Sequence, residues 1–300
     1  MKPTEAVKSD TNENGSVYKQ ALVRNLYKTT AKANLKISII TVTYNSSATI
    51  ADTLKSIESQ HYKNIEHIVV DGKSTDNTVE IIQSFPHVSK WISEKDAGLY
   101  DAMNKGLQMA TGDIIGILNS DDVYAHEDVL ENVVKHFESG EVDTLYGDLH
   151  YVNPNDLNKT VRVWRSGNFK RSNFNFGWMP PHPTFFVKRD VYQEVGLFNL
   201  SLKSAADYEL MLRILYKYRF NATYLPEVLV KMRAGGVSNG SIKKRLRANK
   251  EDRLAWKMNE LHPYFFTLYL KPLRKVFQFI TKEQLFRVPS MKIPQVHYKF

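Results

Sequence analysis

Short β-branched runs alternate along this chain with stretches in which apolar residues recur every three or four positions. Ile37–Tyr44 is mostly β-branched and predicts a first strand. Asn45, Ser46 and Ser47 supply a turn and an N-cap. Ile50, Leu54 and Ile57 then follow at helical spacing and predict a helix to about Gln60. Ile65–Val70 predicts a second strand ending at Asp71. A turn over Gly72–Asp76 follows, then a helix through Ile81 and Ile82. Val88–Ser93 predicts a third strand, and Leu99–Ala110 a helix closed by Thr111-Gly112. The Ile-rich run after Gly112 is too short for a helix and predicts a buried strand that ends in Asp121 and Asp122. A helix over His126–Ser139 and a short strand over Thr144–Gly147 complete the regular part.

Beyond Asp148 the alternation loosens. Tyr151–Asn158 holds Pro154 and Asn155 and predicts a hairpin turn, with Val161–Trp164 as the returning strand. Asn168–Pro183, rich in Phe, Asn and Pro, predicts an irregular loop and a candidate wall for an acceptor. Thr184–Val187 resumes a strand, Ala205–Glu209 opens a helix with Leu210, Ile214 and Leu215 on its apolar face, and Tyr224–Met232 predicts the last strand.

Strands alternating with helices at this spacing imply an α/β fold with a mainly parallel sheet and right-handed crossovers. Such sheets bind ligands at the carboxyl ends of their strands. That rim collects Asp71 and the Asp121/Asp122 pair. Adjacent carboxylates repel unless a cation or a donor neutralises them. One reading of the pair is therefore a divalent-metal site for a phosphorylated ligand, and the other is an acidic turn capping the next helix. No Gly-x-x-x-x-Gly-Lys-Ser/Thr loop is present, and no Gly-x-Gly-x-x-Gly follows the first strand. A phosphate ligand would need a cation instead, and oxygen donors suit Mg²⁺ or Mn²⁺.

Composition narrows the setting. Three hundred residues, 42% apolar, suit a globular core. The absence of cysteine removes disulfides and thiolate metal sites. No apolar run is long enough to span a bilayer, and the first residues carry no apolar signal core. The net charge of +9 is uneven: residues 231–300 hold 16 Lys/Arg against 4 Asp/Glu, and the rest holds 25 against 28.

Thr41-Val42-Thr43-Tyr44-Asn45, Val69-Val70-Asp71-Gly72-Lys73-Ser74-Thr75-Asp76, Asp101-Ala102-Met103-Asn104-Lys105-Gly106, Gly112-Asp113 and Asn119-Ser120-Asp121-Asp122 come in the order and spacing of glycosyltransferase family 2. The resemblance covers about residues 36–235. It implies an inverting nucleotide-sugar transferase with the GT-A fold, a Rossmann-like mainly parallel sheet flanked by helices, here with a C-terminal helical extension. The implied organisation is a flexible lead-in over 1–34, the transferase domain over 35–240 and a basic extension over 241–300.

The resemblance also assigns roles. Thr43, Tyr44 and Asn45 lie against the nucleotide. Asp71 resembles the aspartate that recognises the base. Asp96 and Lys105 line the nucleotide and diphosphate. Ser120, Asp121 and Asp122 fall in the region that resembles the Asp-x-Asp stretch holding ribose and metal, Mg²⁺ or Mn²⁺. This chain has Asn119 where many relatives carry the first aspartate. Asp207 resembles the catalytic base, preceded by Ala206 where many relatives have an acid. Asp207 would take the proton from an acceptor hydroxyl as that oxygen attacks the anomeric carbon, while the metal stabilises the departing diphosphate. Without the resemblance each residue keeps a plainer reading. Asp71 is then a turn residue, Asp207 a helix N-cap, Asp96 and Asp101 solvated acids, Lys105 a solvent-facing helix residue and His182 a loop residue between prolines.

The implied partners are a nucleotide-sugar donor (UDP- or GDP-sugar) and a saccharide or lipid-linked acceptor, in polysaccharide or glycolipid synthesis. Nucleic acid is not expected, because no recognised module accompanies the charge. Two rivals stay open: a sugar-phosphate nucleotidyltransferase, and a non-catalytic protein of this fold anchored by its basic tail. In that tail Phe265, Tyr269, Leu273, Val276 and Ile280 recur at helical spacing among Lys271, Arg274 and Lys275, with Pro272 as a kink. The stretch reads either as an amphipathic segment lying on an anionic membrane or as a helix packed on the body with a solvated basic face. The expected location is cytoplasmic, the tail being the candidate for peripheral contact with the inner face of the cell membrane. Gly235–Ser238 is a candidate loop over the donor site.

Overall fold

The computed structural model describes residues 34–235 and 242–271. The lead-in over 1–33, residues 236–241 of the candidate loop region and the stretch 272–300 lie outside the described residues.

The β-branched run Ile37–Thr43 forms β1, and all seven of its residues are buried. It is the centre of a parallel set, with β2 (Ile65–Asp71) on one side and β4 (Ile114–Ile117) on the other, and β3 (Val88–Ser93) beyond β2. Crossover helices cover this half: α1 (Ile50–Glu58), α2 (Thr78–Gln83) and α3 (Leu99–Met109). In α1 the periodic Ile50, Leu54 and Ile57 face the sheet and are at most 1% exposed. Burying each contributes roughly 1.5–3 kcal/mol, which is what holds a nine-residue helix in place. Helix α3 lies close on β1 because residue 106 is glycine, where a Cβ would overlap the Ile40 side chain.

The second half of the sheet departs from the parallel pattern. Its strands are β5 (Asp122–Tyr124), β6 (Thr144–Asn153), β7 (Asp156–Trp164), β8 (Phe186–Lys188) and β9 (Ala222–Arg233). The strand order is β3-β2-β1-β4-β8-β6-β9-β5, with β7 paired to β6. β6 and β9 are parallel, whereas β8 is antiparallel to both β4 and β6, β7 to β6, and β5 to β9. The expected strand ending in two aspartates is in fact two strands. β4 stops at Ile117, the polar Asn119–Asp121 turn intervenes, and Asp122 opens β5 at the far end of the sheet order. The sheet curls so that β5 returns to α1, where the Thr53 hydroxyl donates to the Asp122 carbonyl at 2.7 Å.

The helices of the second half are α4 (Val129–Glu138), α5 (Arg189–Val195), α6 (Ala206–Met211) and α7 (Ile242–Met258). Helix α5 has no counterpart in the predicted elements. The irregular stretch before it contains two 3₁₀ turns, Arg171–Phe176 and His182–Thr184. Helix α6 continues into a π-helical stretch, Leu212–Lys217. Residues 255–268 join the main core: Ala255 and Trp256 are fully buried, and Leu268 is 8% exposed. The Trp256 indole donates to the Tyr208 hydroxyl at 2.8 Å, and Asn259 donates to Glu209 at 2.9 Å, so α7 braces α6 from behind.

At the end of the sheet where β1 begins, Glu66 is 3% exposed and ties four segments together. Its carboxylate accepts from Ser38 at 2.6 Å and from the Thr111 amide and hydroxyl at 2.8 Å each. Lys90 and Lys36 pair with it at 2.9 and 3.2 Å.

Candidate functional site

The opposite rim holds the chemistry-bearing residues. β1 and β2 run in register to their ends, so Thr43 lies beside Asp71, and Asp71 beside Ser93 of β3. Asp71 is fully buried. One of its oxygens accepts the Ser74 hydroxyl; the other accepts the Ser74 amide at 2.9 Å and the Ser93 hydroxyl at 2.6 Å. This carboxylate therefore fixes the turn after β2. The turn in turn fixes the one after β1. Asn45 sits at φ +49°, its amide donates to Ser74 at 2.8 Å, and its side-chain oxygen accepts the Thr75 amide at 2.8 Å. Gly72 leaves a narrow gap between the two turns and the next loop, since a Cβ there would meet Asp96 Oδ2 at 2.6 Å and Tyr44 Cδ2 at 3.4 Å. Tyr44, 62% exposed, and Asp96 are thus the two flanks of one recess.

Lys105 sits differently from the rest of the group. Its ammonium pairs with Glu94 at 2.8 Å and Asp101 at 3.7 Å, and donates to the Lys95 carbonyl at 3.1 Å. Its pKa is raised, first by the Glu94 contact. A diphosphate would have to compete with these partners.

The Asn119–Asp122 turn carries the strongest electrostatic imbalance. Ser120 donates to the Ser46 hydroxyl at 3.0 Å, which anchors the turn to the end of β1. Asp121 is partly exposed and Asp122 wholly buried. Burial, then the neighbouring Asp121 charge, push the Asp122 carboxyl well above the usual carboxylate range. Burial raises Asp121 too, against the opposing pull of Arg233 and His182. Asn119 donates to Asp122 Oδ2 at only 3.4 Å, while Asn119 Oδ1, Asp122 Oδ1 and the Thr43 hydroxyl are buried without a hydrogen-bond partner. Unpaired interior oxygens are costly, and grouped oxygens beside a carboxylate are the donor set that Mg²⁺ or Mn²⁺ prefers. Asn119, Asp121 and Asp122 are the residues of this turn that could hold such an ion.

Arg233 holds this turn from the last strand. It donates to the Asp121 carbonyl at 2.8 Å, to Asp52 at 2.5 Å and to the Pro154 carbonyl at 3.2 Å. No spacing in the sequence signals this contact, because 112 positions separate Arg233 from Asp121.

Asp207, in the first turn of α6, completes the cleft. Its Oδ1 accepts the Tyr100 hydroxyl at 3.1 Å, and its Oδ2 lies 3.7 Å from His182 Nδ1. Tyr100 belongs to α3, so one hydrogen bond ties α6 to the helix that follows Asp96 and Gly98. His182 stands between two carboxylates. Burial pushes its imidazole down, and Asp207 and Asp121 both pull against that shift. The fold thus brings Asp121, His182, Asp207 and Tyr100 together and places Thr43, Tyr44, Asn45, Asp71, Asp96 and Ser120 along the adjoining rim. The His182 position was not readable from its proline-flanked loop. Tyr100 could have been suspected from its place beside Asp101 in the third motif.

Comparison with known proteins shows the family and the fold. The model for "Glycosyl transferase family 2" matches residues 38–196. An uncharacterized glycosyltransferase of Mycobacterium tuberculosis is 34% identical over 181 residues, 59% of this chain and 68% of the relative. The Escherichia coli UDP-Glc:alpha-D-GlcNAc-diphosphoundecaprenol beta-1,3-glucosyltransferase is 30% identical over 218 residues, 70% of this chain and 83% of the relative. Among solved structures, residues 1–349 of Staphylococcus aureus TarS in complex with UDP-GlcNAc superpose with a TM-score of 0.60 at 19% identity, over 75% of this chain but 65% of that one. The mannosyltransferase PcManGT of Pyrobaculum calidifontis, in complex with GDP-Man and Mn²⁺, gives a TM-score of 0.57 at 21% identity, over 87% of this chain and 80% of that one. The structural likenesses confirm the GT-A-type fold. With the family model spanning more than half of the chain and the motif-bearing turns meeting at one rim, this protein belongs to glycosyltransferase family 2.

Proposed function

We propose that the protein transfers a sugar, with inversion, from a UDP- or GDP-sugar to a hydroxyl of a saccharide or lipid-linked acceptor, and that Asp207 is the general base. The observation that carries this reading is the cleft itself: Asp207 and Asp121 both act on His182, and the Tyr100 hydroxyl holds Asp207 Oδ1. Oδ2 is the oxygen left toward His182, and it is the one assigned to the acceptor proton. His182, on the other side of Oδ2, would hydrogen-bond the same hydroxyl. Tyr44, Gly72 and Asp96 line the recess for the nucleotide, and Asp71 acts there by fixing the turn through Ser74 and Ser93. Asp121, with Asn119 and Asp122 behind it, would hold Mg²⁺ or Mn²⁺. Bound there, the cation would neutralise the negative charge of a departing nucleoside diphosphate. Relatives that use a UDP-sugar or bind GDP-Man with Mn²⁺ support a donor of this class.

The test is Asp207→Asn. Nucleoside diphosphate release with a panel of UDP- and GDP-sugars and acceptors should fall by about 10²–10⁴-fold, the range of a lost general base. Donor affinity, read by calorimetry, should stay within about threefold. Full turnover by this variant rejects the assignment.

A further inference from the structure

Two readings of the C-terminal apolar stripe differ in which way it should face. A helix packed on the body turns its apolar side inward and leaves its basic side in water. The described part of this segment does neither: Leu268 packs inward, but a basic residue packs inward with it and three aromatics stay in water. Thr267 is fully buried and donates to the Asn175 carbonyl at 2.6 Å. Leu268 is 8% exposed. Lys271, the basic residue, points in: its ammonium meets Asp252 at 2.6 Å and lies 3.6 Å above the Tyr208 ring. The residues turned outward are Tyr264, Phe265 and Tyr269, at 56%, 87% and 65% exposure.

Phe176 extends this surface from a second segment. It is 45% exposed and its ring lies 5.9 Å from that of Phe266, which also touches Tyr264 and Phe265. Aromatic side chains bury on the order of 150–250 Å² each, so four of them make a patch of a size that marks an interaction site. Phe176 closes the 3₁₀ turn Arg171–Phe176, six residues before His182. The patch is therefore continuous with the segment that supplies the acceptor side of the cleft.

Charge selects the occupant. Three of its four aromatics, Tyr264, Phe265 and Tyr269, belong to the part of the chain, 231–300, that holds 16 Lys/Arg against 4 Asp/Glu. Exposed Phe and Tyr within a basic segment match a bilayer interface whose lipids are anionic. We propose that Tyr264, Phe265, Tyr269 and Phe176 insert into the interfacial layer of an anionic phospholipid membrane. This brings the His182 side of the cleft to the membrane surface. The placement of the cleft rests on the transferase reading; the binding of lipid does not.

Deleting the tail is a poor test, because Thr267 and Lys271 brace the segment carrying Asn175 and the helix carrying Asp207. The full chain with Phe265→Ser and Tyr269→Ser together is a cleaner one. Co-sedimentation with phosphatidylcholine vesicles containing 30% phosphatidylglycerol, about the level that gives a strong surface potential, should show binding by the unaltered protein. Binding should drop at least tenfold in the double variant and be weak for both on pure phosphatidylcholine. The thermal midpoint and donor turnover in detergent-free solution should not change. Asp207→Asn should bind these vesicles normally, which separates failure of the base assignment from failure of membrane docking. Equal vesicle binding by the double variant, no binding by the unaltered protein, or a dimer that the double substitution dissociates without any vesicle binding would each overturn the proposal.

Discussion

Two buried acid clusters lie at opposite ends of the same sheet, and they are treated in opposite ways. Glu66 is 3% exposed and Asp122 fully buried. Burial alone would raise both carboxyls. At Glu66 the donors Ser38, Thr111 and Lys90 outweigh burial and hold the group far below its ordinary range. At Asp122 burial is reinforced by Asp121, and the opposing pull of a long contact from Asn119 and of the Arg233 charge and backbone amide does not outweigh it. A charge that the fold needs is surrounded by donors. The Asp122 carboxyl is left short of them, which is the pattern expected of a group kept for a ligand and fits the metal role proposed above.

This contrast can be broken or sharpened by experiment, from the largest effect on stability down. Glu66→Gln should destabilise the protein by roughly 2–4 kcal/mol at pH 7, since it strips a nearly fully paired interior carboxylate and leaves its donors unmatched. The sign with pH follows from the depressed pKa. The Glu66 contribution is fully present above the ordinary Glu value of about 4.3 and fades as pH falls toward the folded value. The deficit of the variant, measured by urea unfolding, should therefore shrink below about pH 4.

Metal should come next. Mn²⁺ at about one hundred times its dissociation constant should stabilise the folded chain by about 2.7 kcal/mol, and a chelator should reverse it. Asp121→Asn should abolish most of that gain, whereas Glu66→Gln should retain it. A full Mn²⁺ shift in Asp121→Asn would remove the proposed site.

Asp122→Asn should move stability in the opposite direction from Glu66→Gln. Its raised pKa means that the native state favours the protonated form. The penalty is absent below the ordinary Asp value of about 3.9 and grows as pH rises through the folded value. The metal-free variant should be more stable than the unaltered protein at pH 8 and no more stable near pH 4, read by urea unfolding. A loss at pH 8 would show that the orphan oxygen has a partner. The smallest effect belongs to Lys105→Ala. Its ion pair with Glu94 is half-open to water, so removal should cost less than about 1 kcal/mol by the same unfolding assay.

How much of this was legible beforehand varies by residue. The strands and helices of the first half were readable because each has one buried face with a simple period: Ile50, Leu54 and Ile57 for α1, a run of β-branched residues for β1. The end of β4 was misplaced because nothing local distinguishes a strand that runs to Asp122 from one that stops at Ile117 and hands over to β5. Helix α5 was missed because it is one short helix of seven residues following directly on β8. Of the site, the aspartates stood out through the family motifs. Arg233 did not, and His182 was legible only as a weak acceptor-side candidate, because their contacts are with residues far away in sequence.

The sequence by itself determined the elements of the first half, the family and the inventory of carboxylates, because periodicity and motif spacing act over a few residues. Only the tertiary structure decided which carboxylates are paired and which are left unpaired, that His182 stands between Asp121 and Asp207, and that the aromatic side of the C-terminal segment faces outward. Those outcomes depend on desolvation and on contacts across the fold, and neither exists until distant segments meet.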